Sequence, residues 1–85
     1  MNYQVVIEEK VARDTKSIPK KDLQRIDAVI LKLSGNPRPP GCKKLTEKEG
    51  YRVRSGRYRI LYRIDDRTKV VIVYRIRKKD ERTYE

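Results

Sequence analysis

Along residues 57–64 the side chains alternate in character, with Tyr58, Ile60, Tyr62 and Ile64 falling to one side of an extended chain and Arg57, Arg59, Leu61 and Arg63 to the other. A period of two predicts a strand with one apolar face and one basic face. The preceding residues 51–54 repeat the pattern, since Tyr51 and Val53 share one side while Arg52 and Arg54 share the other. Ser55-Gly56 predicts a tight turn between these strands, and Asp65-Asp66-Arg67 a second turn into a third strand over residues 69–75. If the register matches, two neighbouring strands present their arginines to one surface.

The first half of the chain follows other periods. Residues 3–7 are rich in β-branched and apolar side chains and predict a strand, followed by a short charged helix over residues 8–16. Pro19 suits the first turn of a second helix, where its missing N–H costs nothing. Leu23, Ile26, Ile30 and Leu33 then recur at helical spacing and form one apolar face, with Gly35 as a stop. Residues 36–41, NPRPPG, predict a rigid loop rather than a domain boundary. The expected fold is α+β: an N-terminal strand, a helical hairpin and a three-stranded antiparallel meander, with the helices packed on one face of a small sheet.

Length and charge narrow the possibilities. A chain of 85 residues that is 36% hydrophobic supports one compact core, so residues 1–85 are expected to form a single domain. With 23 Lys plus Arg against 12 Asp plus Glu, the formal net charge is +11, a field suited to a polyanion. No signal peptide is apparent in MNYQVVIEEK, and no apolar run nears the roughly 20 residues that span a bilayer, so a cytoplasmic protein without membrane contact is expected. Cys42 is the only cysteine and histidine is absent, so no metal site is expected and Cys42 reads as an inert thiol. The glycines are scattered and none opens a helix, which argues against a nucleotide cofactor.

Arg52, Arg54 and Arg59 on a common face, joined by Lys78 and Lys79 from the tail, predict a phosphate-gripping patch, because guanidinium forks match phosphate oxygens and stay charged. Tyr84 adds a ring able to stack on an unpaired base. Lys43, Lys44, Arg57, Arg63 and Arg77 are further cations expected to contact RNA together with Lys79. On the other side, arginines on the wet face of a small sheet can serve solubility alone; their clustering at matched parity is what favours binding.

The segment KKLTEKEGYRVRSGRYRILYRID resembles the central part of the RelE/ParE toxin superfamily, in which a Lys-Leu pair precedes a basic strand, a tight turn and a Tyr-Arg strand. The order of elements over nearly the whole chain, ending in a basic tail with a tyrosine, is similar to the same family. The resemblance to the RelE branch implies a toxin of a type II toxin–antitoxin system, a ribosome-dependent endoribonuclease that inhibits translation by cutting mRNA in the A site. It implies attack by the RNA's own 2′-OH without metal or cofactor, and a cognate antitoxin as partner beside ribosome and mRNA.

On this resemblance Arg52 and Arg54 take paired basic positions, Arg59 stabilises the pentacoordinate phosphate, Lys78 protonates the leaving oxygen and Tyr84 stacks on a base, with Lys79 almost as good a candidate for the proton. The chain departs from the pattern at Arg54, where relatives commonly carry a lysine that can act as base. Arginine, with a pKa above about 12, has almost no neutral form. Two other readings stay open: a ParE-like inhibitor of DNA gyrase, and a non-catalytic RNA- or ribosome-binding module.

Overall fold

The alternating segment folds as expected into a strand, β4 (Tyr58–Asp65), flanked by β3 (Tyr51–Ser55) and β5 (Val70–Lys78). The structure is a computed structural model that describes residues 2–45 and 50–78. Before the meander come β1 (Gln4–Ile7), α1 (Lys10–Thr15), α2 (Lys20–Gly35) and a two-residue strand, β2 (Lys43–Lys44). The sheet order is β1-β5-β4-β3-β2, antiparallel throughout except that β1 runs parallel to β5. The expected meander is therefore the centre of a five-stranded mixed sheet, with β1 closing one edge and the unforeseen β2 the other.

Register decides the faces. Val53, Ile60 and Ile76 are cross-strand partners, and all three are buried under the helices. Tyr51, Tyr62 and Val73 form the next row of that side. Helix α2 lays Ile26, Ile30 and Leu33 onto this apolar surface, and Val11 from α1 and Ile18 from the link complete the cluster. Tyr62 has no accessible surface, and its hydroxyl donates to the Pro37 carbonyl at 2.7 Å, so the proline-rich loop is tied to the core. Burial pushes the Tyr62 phenol well above its ordinary range, because the charged form would lose its hydration.

Three local devices fix the ends of the strands. Asp65 accepts from the backbone N–H groups of Arg67 and Thr68 at 3.0 and 3.2 Å, which shapes the β4–β5 turn and holds its own carboxyl below the usual range. Arg38 from the loop donates to both oxygens of Asp66 at 3.3 and 2.9 Å and to the Tyr51 hydroxyl at 3.1 Å, while the Tyr3 hydroxyl donates to Asp66 at 2.7 Å. These bonds hold the Asp66 carboxyl down to about 2. Where β1 ends, the free edge of β5 is taken over by α1: the Ile76 N–H donates to the Asp14 carboxylate at 3.0 Å.

Between Leu61 and Tyr62 the β4–β5 register shifts, since Leu61 pairs with Arg75 and Tyr62 with Val73, leaving Tyr74 as an extra residue in β5. This bulge inverts the parity of everything after it. Ile76 turns inward, Arg77 lands opposite Arg59, and Lys78 lands opposite Tyr58 on the helix side. Among the described residues no helix is long and apolar enough to cross a membrane.

Candidate nucleic-acid interface

On the face of the sheet away from the helices, register assembles the arginines in rows. Arg54, Arg59 and Arg77 are successive cross-strand neighbours on β3, β4 and β5. The next row is Lys43, Arg52, Leu61 and Arg75, and beyond it Arg63 stands opposite Ile72. Directly opposed residues place their Cβ atoms about 5 Å apart. Like charges at that spacing repel, so the arrangement costs stability and concentrates positive potential where an anion can relieve it. Arg52 and Arg59 are buried in the floor of this face, at 9% and 8% exposure, whereas Arg54 and Arg77 are exposed.

Acidic groups reach the face at its β1 side. Glu8 accepts from Arg63 at 3.2 Å and lies 3.5 Å from Lys10, and Asp14 stands 3.5 Å from Arg75 Nε. These contacts hold Arg63 and Arg75 in place. A row of guanidinium groups on a rigid sheet can grip a phosphodiester through several oxygens and stabilise charge that grows on it.

The structure brings together Arg52, Arg54, Arg59, Arg63, Arg77 and Lys43 among the sequence-predicted residues. Others are placed elsewhere. Lys78 faces the helix side, where it lines a cavity of about 570 Å³ with Arg13, Asp14, Asp22 and Tyr58, across the sheet from Arg59. Arg57 sits in the β3–β4 turn rather than in the strand, and Lys44 pairs with Tyr51 and so has the parity of the helix side. Lys79 and Tyr84 lie outside the described residues. Arg75 and Tyr74 belong to the open side and were not legible as such, because the bulge that turns them there leaves no mark in the residue alternation; the only signal was apolar Ile76, which must be buried and so fixes its neighbours.

The helix-covered mixed sheet agrees with what comparison with known proteins finds. Residues 5–83 match the family described as the ParE toxin of type II toxin–antitoxin system, parDE. The chain is 33% identical over 86 residues to a putative toxin RelE1 of Methanocaldococcus jannaschii, covering 94% of this chain and 93% of the relative. The chain belongs to the RelE/ParE toxin superfamily. The archaeal RelE–RelB complex of Pyrococcus horikoshii contains a chain similar to this one at TM-score 0.84 and 26% identity, covering 95% of this chain and 99% of that one. The toxin–antitoxin complex RelBE2 of Mycobacterium tuberculosis contains another, at TM-score 0.82 and 28% identity, covering 93% and 100%. This toxin thus has the RelE-like fold, and its arginine rows stand on the helix-free side of that fold's sheet.

Proposed function

We propose that this toxin is a ribosome-dependent endoribonuclease that cuts mRNA in the A site. The observation that carries the reading is the cross-strand row Arg54–Arg59–Arg77 with Arg52 beside it on the open face. In the reaction the 2′-oxygen of one nucleotide attacks the adjacent phosphorus as the bond to the 5′-oxygen breaks, leaving a 2′,3′-cyclic phosphate and a 5′-hydroxyl. The 2′-OH gives up its proton and the departing 5′-oxygen takes one up. Arg59, central in the row, stabilises the extra negative charge of the pentacoordinate phosphate, with Arg54 and Arg77 on either side. Arg54 cannot serve as base, so its part is electrostatic.

Lys78 faces away from this row, so its expected role as proton donor is not supported by its placement; Arg77 is the β5 cation that faces Arg59. Electrostatic stabilisation remains large without a dedicated base, since one well-aimed donor contributes roughly two to three decades in rate. The ribosome supplies the remainder by holding the message in line for attack, which makes free RNA a poor substrate. A cognate antitoxin is the expected partner, as the Pyrococcus and Mycobacterium relatives are each found in complex with theirs.

The test is to add the purified toxin to ribosomes programmed with a defined message and map cuts by primer extension, with Arg59→Ala in parallel. A cut in the A-site codon, reduced about 100- to 1000-fold in a variant that melts like the parent, supports the proposal. Absence of any cut on competent ribosomes overturns it. The match to a family named for ParE favours gyrase inhibition as the second reading, which a DNA supercoiling assay reads directly.

A further inference from the structure

The bulged residue Tyr74 lies on the open face in the middle of β5, three residues from Arg77, and three observations make it more than a packing residue. Its ring is flanked by two cations: the Arg63 guanidinium carbon stands 5.0 Å and Lys10 Nζ 5.7 Å from the ring centroid. Both cations are steered there by Glu8, which binds each of them. The ring also reaches across β4 toward the start of β3, where Gly50 makes room for it. A Cβ added to Gly50 would lie 3.1 Å from the Tyr74 hydroxyl and 3.1 Å from the Tyr62 carbonyl oxygen, and Gly50 has φ +147. Leu61 and Ile72, both partly buried, share this side of the sheet.

A half-buried aromatic ring resting on an open sheet, with arginine and lysine beside it, has the chemistry of a base-stacking platform. We propose that Tyr74, with Arg63 and Lys10, forms a nucleotide subsite on the open face that stacks an unpaired base of the bound RNA and holds its phosphate. The subsite rests on the reading that the open face binds RNA. It lies three residues along β5 from Arg77, about 10 Å, so it takes a nucleotide neighbouring the cleaved phosphate rather than the scissile group itself. The planar guanidinium of Arg63, 5.0 Å from the ring centroid, offers a second stacking surface beside Tyr74. Tyr74 is thus an RNA-binding residue, and it is not part of the cleavage machinery.

The experiment measures binding of a short single-stranded oligoribonucleotide, and of the same oligonucleotide with a single abasic position moved along it, to the parent toxin, Tyr74→Leu and Tyr74→Phe. For the parent, one abasic position is expected to weaken binding, and Tyr74→Leu to weaken the intact oligonucleotide by about 5- to 150-fold while losing that abasic penalty. Tyr74→Phe retains most of the affinity. Because Leu carries no charge, the salt dependence of binding stays unchanged in Tyr74→Leu, whereas Arg63→Ala lowers its slope. In the parent itself, labelled tyrosine rings report independently of any variant's folding: the Tyr74 ring signals shift on titration with the intact oligonucleotide and do not shift with the corresponding abasic one.

Unchanged Tyr74 signals, or an abasic penalty that persists in Tyr74→Leu, overturn the subsite. The cleavage reading fails separately: a parent toxin that shows the Tyr74 shift but cuts no message keeps the subsite and loses the endoribonuclease, and one that cuts with no Tyr74 shift does the reverse. A parent that binds no oligoribonucleotide overturns the subsite, while the cleavage reading stands or falls on the cut in programmed ribosomes.

Discussion

Tyr62 combines complete burial with a polar tip, and the bond from its hydroxyl to the Pro37 carbonyl joins the sheet to the proline-rich loop. Tyr62→Phe keeps the ring and removes the bond, leaving the Pro37 carbonyl without that donor. The expected loss is about 1 kcal/mol at neutral pH, read from urea denaturation. The pH dependence has a definite sign. The phenol is raised in the folded state by burial, while the unfolded chain ionises near its ordinary value of about 10. Its contribution is therefore fully present below about pH 10 and is lost as pH rises through the folded value, because only the unfolded chain readily gives up the proton. Tyr62→Phe should lose less stability than the parent between neutral pH and pH above about 10. An identical alkaline slope in both proteins would place the titration elsewhere.

Among the elements, β5 shows where the sequence was legible and where it was not. The faces of β3 and β4 could be read because a period of two runs unbroken through Arg52, Arg54, Arg59 and Arg63, and register then set them side by side as expected. The helical face of Leu23, Ile26, Ile30 and Leu33 was equally plain, and the last three are buried. For β5 the period is interrupted by Tyr74, and a single extra residue sends Lys78 to the helix side and Arg77 to the open one. The parallel pairing of β1 with β5 was illegible for another reason: a four-residue strand encodes burial, not the direction of its neighbour.

The same edge supplies a prediction. Asp14 substitutes for a strand partner at Ile76, so Asp14→Ala leaves a part-buried N–H unsatisfied and should cost about 1 to 3 kcal/mol, while Asp14→Asn keeps an acceptor oxygen and costs less. Amide hydrogen exchange at Ile76 should accelerate in the alanine variant. If exchange there is unchanged, the carboxylate is not what protects this edge.

At the scale of the whole molecule, a net charge of +11 pulls stability and binding in opposite directions. Added salt screens the repulsion among the arginine rows and should raise the unfolding midpoint, while it weakens RNA binding by reducing the gain from released counterions. The magnitude separates the open face from the remainder of the positive surface. For single strands each phosphate contact contributes about 0.7 to the slope of log affinity against log salt. Removing Arg54 and Arg77 together, as Arg54→Gln with Arg77→Gln, should therefore lower the slope by about 1.4 if both bind phosphate. An equal charge removed from α2, as Arg25→Gln with Lys32→Gln, changes the net charge identically but leaves the open face intact. A slope that falls equally in both double variants would mean that RNA responds only to total charge, and the rows of the open face would then be a solubilising surface rather than a binding site.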